Sequence, residues 1–397
     1  MQGCFRNFVF LILLCLPVSS FAQESSVRVR LKKNISRVTV GGMGLRFESA
    51  SEMVNLNDSL SLVKWHIKKL KSVNSVSQWQ IQKATGEKYL LQGEQISLKG
   101  QLLRLELEPV PYEIDLVAIN ESQFDVVAKM DLDAYLAGVL PSEMPLAWPL
   151  EALKAQTIAA RSYVLRTAFE RRDYHYDVDS TIQDQVYKFM SSDSLSSEHR
   201  FKLAAAISQT RGQVLQAPGG GVLKAYYHAD CGCQTEDPKY VWGAAKGFTS
   251  VKDPTCARRK TYRWNLTLGQ SELNEKLVQY FQLPPDSSLE NLRVLSHTPS
   301  GRVALVEGQF KLSSGGKFVG TLNSQSFRKL FGFEKIKSSQ FQLTTGRVSA
   351  HLEGQGLGHG VGLCQWGTRA MAAEGSTYID ILKNFYPQAK INRAKII

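Results

Sequence analysis

The chain has 397 residues, 43% of them hydrophobic and 21% charged, with a formal charge of +12. That length can bury a large core, in two domains or in one elaborated domain. Lys and Arg are scattered without a run that would make a nucleic-acid-binding arm, and no stretch beyond the N-terminus is long and apolar enough to span a bilayer.

The first residues, MQGCFRNFVFLILLCLPVSSFAQ, combine Arg6, a short apolar run and the small-residue exit Ser20-Phe21-Ala22. This predicts a secretory signal peptide over 1–22, cut after Ala22. Leu14 ahead of Cys15 is not the small residue a lipoprotein site requires. The expected product is exported, periplasmic or extracellular, and its positive charge suits an anionic cell-wall polymer or membrane surface. Four cysteines lie beyond the cut, Cys231, Cys233, Cys256 and Cys364, an even number that favours disulfides in an oxidising space.

From 23 to about 110 the chain reads as short strands. SVRVRL alternates from Val27 to Leu31 and LLRLELE from Leu103 to Leu107, the period of a half-buried sheet. No catalytic constellation falls here. After Phe124 the texture changes. A short helix capped by Asp131 and stopped near Pro141 is followed by a long one with Pro149 in its first turn. The long helix carries Leu150, Leu153, Thr157, Ala160, Val164 and Ala168 at spacings of three and four, a stripe of mostly small residues that invites close packing. A strand-rich stretch occupies about 264–345, with a hairpin at Pro299-Ser300-Gly301. Two helices close the chain: one from Gln365 to Glu374, the other opened by the capping pair Thr377 and Asp380. The pattern is α+β.

Four polar, glycine-punctuated segments stand out from this scaffold: PSEMP (141–145), YDVDSTIQDQVY (176–187), YYHADCGCQTED (226–237) and GQGLGHGVGLCQWG (354–367). Their order and spacing, with YLAGVLPSEMPLAWPLEALKAQTIAARSYVL and TRGQVL, resemble the SpoIID family of sporulation lytic transglycosylases and LytB-type amidase enhancers. The resemblance covers about 110–390. It implies a SpoIID-like α+β core over 111–397, holding the packed small-residue helix and mixed β elements, with the strand-rich stretch as an insertion and the β-rich N-terminal region as a lead-in.

The resemblance maps the family's catalytic acid onto Glu143. A hydrolytic glycosidase needs two carboxyls about the scissile bond. A lytic transglycosylase uses the muramic C6 hydroxyl as nucleophile, so one carboxyl suffices, acting as acid and then base. Such an acid needs an apolar niche that raises its pKa, which Met144, Leu146 and Trp148 could supply. The implied activity is cleavage of MurNAc–GlcNAc strands, stripped of peptide, to 1,6-anhydroMurNAc ends. The alternative is a non-catalytic wall-binding enhancer of an N-acetylmuramoyl-L-alanine amidase, and a wall amidase is then a partner.

His228, Thr235, His359, Gln365, Trp366, Gln183, Gln185 and Tyr187 are candidate sugar contacts, amides supplying hydrogen bonds and rings stacking surface. Arg161 and Tyr163 brace the helix behind the acid or bind. Asp177 and Asp179 have an EF-hand spacing, but Ile182 and Lys188 fill the glycine and closing-Glu positions. The zinc site of some relatives maps onto Val178 and Asp184, so it is not carried over. The expectation is no metal, with zinc at His228, Cys231, Cys233 and Cys256 a lesser alternative to disulfides. The first pairing considered is Cys231 with Cys256, leaving Cys233, at a position where the family commonly has glycine, for Cys364. A Cys364–His359 hydrolase dyad is a further alternative, without a third orienting group nearby.

Overall fold

The computed structural model describes residues 26–56, 64–73, 76–83, 85–190, 194–243 and 247–394; the expected signal peptide lies outside them. The alternating segments near the start build an eleven-stranded sheet. Nine of its strands run in the order Val178–Asp179, Ser26–Ile35, Phe124–Asp131, Glu113–Ala118, Gln95–Leu105, Arg37–Glu48, Trp65–Val73, Val76–Lys83, Lys88–Gln92, while Met53–Asn55 pairs with Arg37–Glu48 and Glu108–Pro109 with Gln95–Leu105 off this path. The sheet therefore continues past residue 110, and the N-terminal strands share hydrogen bonds with segments of the core. Val27 and Val29 are buried as the alternation requires, but so is Arg30 between them and Leu31. Its guanidinium is satisfied by Asp179 at 2.9 Å and Asp125 at 3.3 Å, with the Tyr176 ring 3.9 Å away. A buried charge is tolerated because it is paired on more than one side.

Helix α1 (Leu132–Glu143) starts where Asp131 accepts the Ala134 N–H. It runs past Pro141 to Glu143, further than a proline stop predicts. Pro141 lacks an N–H, but Met144 N–H reaches Leu140 O at 2.9 Å and closes the last turn. Helix α2 (Leu150–Glu170) follows Pro149 at its N-cap. Its stripe was expected on one face, yet Ala155 to Val164 are buried without a break. A helix covered on all sides is a central element. α2 packs on α1, on the helices Ser197–Ser208, Gln365–Ala373 and Tyr378–Phe385, and on the strand Gln213–Gln216. Ala155, Ala159 and Ala160 permit these close approaches, and Ser162 Oγ accepts Leu215 N–H at 2.8 Å.

The strand-rich stretch is a pair of three-stranded sheets with the helices Gln270–Tyr280 and Ser324–Phe331. Its own core includes Trp264, Leu273, Phe310 and Phe327. The strand Ser349–Gln355 closes it by pairing Arg263–Gly269, so the unit extends ten residues beyond 345, to 355. The expected hairpin is present, Gly301 taking φ 81° and donating to Thr298 O at 2.9 Å. The last helix carries the Thr377–Asp380 capping box.

Candidate functional site

All four polar segments meet at Glu143. As the last residue of α1, half-buried Glu143 accepts Val186 N–H at Oε1 (2.9 Å) and the Gln365 amide at Oε2 (3.4 Å). The Tyr227 hydroxyl, held by the Gln185 amide at 3.0 Å, favours the ionised form as well. Met144 and Leu146 are buried beside it, and Trp148 packs against the same cluster. Burial raises the Glu143 carboxyl above its ordinary value; the donors from Val186, Gln365 and Tyr227 pull it back only in part. No ion pair joins Glu143 to any described residue.

Each donor is delivered by its own chain geometry. Val186 sits in the 176–187 segment, which is folded on its own acids: Asp179 Oδ1 accepts Thr181 N–H, and Asp184 Oδ2 accepts Asp179 N–H at 2.8 Å. Asp184 also binds Arg171 at 2.5 Å and the Tyr163 hydroxyl at 3.1 Å. These carboxylates, with Asp177 on Arg28, are engaged by arginines rather than arrayed about a calcium position. Gln365 and Tyr227 are brought together by a short parallel ladder, Tyr227 opposite Leu363 and His228 opposite Cys364. Tyr386 locks that ladder: its hydroxyl donates to Tyr226 O at 2.6 Å and accepts Leu363 N–H at 3.3 Å.

The remaining sequence candidates fall into two groups. Trp366 is exposed at 39% and tilts against Trp148 at 5.1 Å, with the Arg369 guanidinium over both rings. These two indoles form an aromatic surface beside Glu143. Gln183 is also exposed. Gln185, Tyr187 and Thr235 lie inside the protein instead. The Gln185 amide binds the Tyr135 hydroxyl, Ala160 O and the Tyr227 hydroxyl, so it holds Tyr227 in place. Tyr187 stacks on Tyr135 at 5.5 Å, and Thr235 is tied to the Val251 backbone. Arg161 is buried behind α2 on Thr210 O and Gln213 O. Tyr227 was not singled out in the sequence; its signal is that Tyr227, not Tyr226, shares the ladder register with Leu363.

His359 Nδ1 accepts Val361 N–H at 3.0 Å, and its ring meets Trp242 edge-on at 4.9 Å. Burial, with His228 and the Arg328 and Arg302 charges, holds it well below the usual histidine range, so it is neutral. The histidine that lies close to Cys364 is His228, within 4.8 Å.

The cysteine pairing differs from both expected bridges. Cys233 is bonded to Cys256, while Cys231 and Cys364 are free and buried. The reason is local: Gly232 at φ 61° and Cys233 at φ 89° turn the chain, which leaves Cys231 beside Cys364 and Asp253 while Cys233 meets Cys256. The same bond removes Cys233 and Cys256 from the four-residue zinc set considered above.

The fold and site define an α+β protein with one isolated, half-buried acid at a helix terminus, met by three further segments of polar, glycine-punctuated sequence. Residues 120–216 match the family model SpoIID, "Stage II sporulation protein", and 244–362 match a "Domain of unknown function (DUF8618)". Over that first segment the chain is similar to the SpoIID family. The SpoIID match includes Glu143 and Val186, while Tyr227 and Gln365 lie beyond it. An uncharacterized protein of Brachyspira hyodysenteriae is 28% identical over 278 residues, 70% of this chain and 68% of the relative. The stage II sporulation protein D of Bacillus subtilis is 28% identical over 280 residues, 68% of this chain and 76% of the relative. The Bacillus subtilis amidase enhancer is 27% identical over 293 residues, which is 64% of this chain but only 39% of that longer protein.

Proposed function

We propose that the protein is an exported, wall-associated lytic transglycosylase that cleaves peptide-stripped MurNAc–GlcNAc strands. The observation that carries this reading is the isolation of Glu143: a carboxyl raised by burial, oriented by the uncharged donors of Val186 and Gln365 with the Tyr227 hydroxyl favouring its ionised form, and with no cation or second carboxylate among the described residues bonded to it. Protonated Glu143 donates to the glycosidic oxygen as the muramic C1–O bond breaks, and the GlcNAc fragment leaves with a 4-hydroxyl. The resulting carboxylate takes the proton from the muramic C6 hydroxyl as that oxygen closes on C1. The products are a 1,6-anhydroMurNAc end and a free GlcNAc end, with no water consumed. Val186, Gln365 and Tyr227 stabilise the carboxylate formed between the two steps. Trp366 and Trp148 offer a stacking surface for the adjoining sugar.

The test is to incubate the protein with amidase-treated sacculi and assay anhydro ends by mass spectrometry. Wild type is expected to release them and Glu143→Gln to release none; equal release by both overturns the assignment. A second reading, activation of a separate cell-wall amidase, draws on the relative named amidase enhancer. It predicts that wild type and Glu143→Gln stimulate an added amidase equally while neither makes anhydro ends.

A further inference from the structure

The two cysteines outside the disulfide share a buried site with His228. One ligand atom from each of His228, Cys231 and Cys364 lies within 4.8 Å of the others, and all three residues are buried. His228 Nδ1 stands 3.0 Å from Val361 O, which accepts a hydrogen bond only if Nδ1 carries the proton. Nε2 is then a bare lone pair. It is buried, on a side chain of a residue only 4% exposed, and has no hydrogen-bond partner. An unpaired buried acceptor costs on the order of a lost hydrogen bond, so an unoccupied site is unfavourable here.

We propose that His228, Cys231 and Cys364 bind a zinc ion through Nε2 and the two sulfurs, with Asp253 supplying the fourth ligand. Thiolate and imidazole together select a borderline-soft ion of this kind. Tetrahedral zinc spaces its sulfur and nitrogen ligands roughly 3.5–3.8 Å apart, within the spread observed. Asp253 Oδ2 is already 3.5 Å from Cys231 Sγ. The Nδ1–H bond to Val361 O is the outer contact that fixes the tautomer of a metal-bound histidine. Binding releases one proton from each thiol to solvent and leaves the ion with two thiolates and one carboxylate.

Two occupants of other chemistry compete for this place. The Arg259 guanidinium is 3.6 Å from Cys364 Sγ and 3.8 Å from Cys231 Sγ, evidence that the cluster attracts positive charge. It bonds Asp253 Oδ2 at 2.7 Å and Asp230 at 2.8 Å, so Asp230 keeps it anchored when Asp253 turns to the ion. A Cys231–Cys364 disulfide would consume both sulfurs but leave His228 Nε2 unpaired. Zinc satisfies all three groups at once. The ion would join both strands of the Tyr227–Leu363 ladder one residue before Gln365, and so fix the donors to Glu143 without touching substrate.

The experiment uses the mature chain, reduced at its free thiols and loaded anaerobically with Zn²⁺ or Co²⁺ alone. One metal per chain is expected after desalting, with thiolate-to-cobalt charge transfer in the near ultraviolet and tetrahedral d–d bands in the visible. Cys231→Ser, Cys364→Ser and His228→Asn should each weaken binding at least tenfold, while Cys233→Ser with Cys256→Ser retains it. Zinc-edge absorption on the unmutated protein should report two sulfurs and at least one nitrogen, which keeps the test independent of variants that fail to fold. Free thiols that retain no metal, binding unchanged in the double serine variant of Cys231 and Cys364, or a mapped Cys231–Cys364 disulfide in exported protein would each overturn the proposal.

Discussion

Replacing Gly138 with alanine sets helix propensity against packing. Gly138 lies inside α1, where alanine is worth about 1 kcal/mol more than glycine. A Cβ there would stand 2.7 Å from Lys188 O and press on the edge of the Tyr187 ring. Neither neighbour yields freely. Lys188 O is backbone, and Tyr187 is held by its stack on Tyr135 at 5.5 Å and 10°. Overpacking of this kind costs about 1–3 kcal/mol, so the variant should be less stable by roughly 0–2 kcal/mol rather than more stable by about 1. The displaced segment also carries Val186, whose N–H is 2.9 Å from Glu143 Oε1. Losing a hydrogen bond to a charged group costs about 1.5–3 kcal/mol, roughly a tenfold to hundredfold loss in turnover. Because that donor favours the ionised carboxyl, its loss should also move the alkaline limb of the rate profile to higher pH. Denaturant unfolding and anhydro-end release across pH check both effects. A Gly138→Ala protein that is stabilised by about 1 kcal/mol and turns over like wild type would refute the reasoning.

Three further outcomes follow from contacts described above. Burial raises Glu143 above its unfolded value, so its penalty on folding is absent below about pH 4.3 and grows as pH rises towards the folded value. Glu143→Gln should therefore melt above wild type near neutral pH, the gap closing towards pH 4; a lower melting point at neutral pH contradicts this. Tyr386→Phe takes one hydroxyl contact from each of Tyr226 O and Leu363 N–H, which keep their bond to each other, and should cost about 0.5–1.5 kcal/mol in denaturant unfolding, with faster amide exchange at Leu363. In metal-free protein, Arg259→Met leaves buried Asp230 and Asp253 without their cation, and equilibrium unfolding should register a loss of about 3–5 kcal/mol.

Short-range chemistry was legible in the sequence. The Asp131 cap, the Thr377–Asp380 box, the Pro299-Ser300-Gly301 hairpin and the alternating strands all depend on residues a few positions apart, and the structure has them. Glu143 and Gln365 were picked out separately, by motif. Their contact spans 222 residues and depends on which residue of a two-residue ladder faces inward. The same limit explains the cysteines: two positions apart on either side of Gly232, they are equivalent as sequence until a positive φ gives them different partners. Gln185 and Thr235 read as polar and therefore available, but their hydrogen bonds are consumed by the backbone and by Tyr227. The continuous burial of α2 was hidden because alanine and serine carry little hydrophobic signal while still permitting contact on every side.

The place of the first strand has a consequence for the order of folding. Ser26–Ile35 lies between Phe124–Asp131 and Val178–Asp179, and the Arg30–Asp179 bond that fastens its outer edge spans 149 residues. A chain made or threaded N-terminus first therefore presents this strand long before either partner exists, and the entropy of so long a closure slows the pairing. The turn that supplies Asp179 to the strand goes on, seven residues later, to supply Val186 to Glu143. The earliest strand to emerge and the clasp of the acid are completed together, so a partly emerged chain carries Glu143 without the donor that orients it.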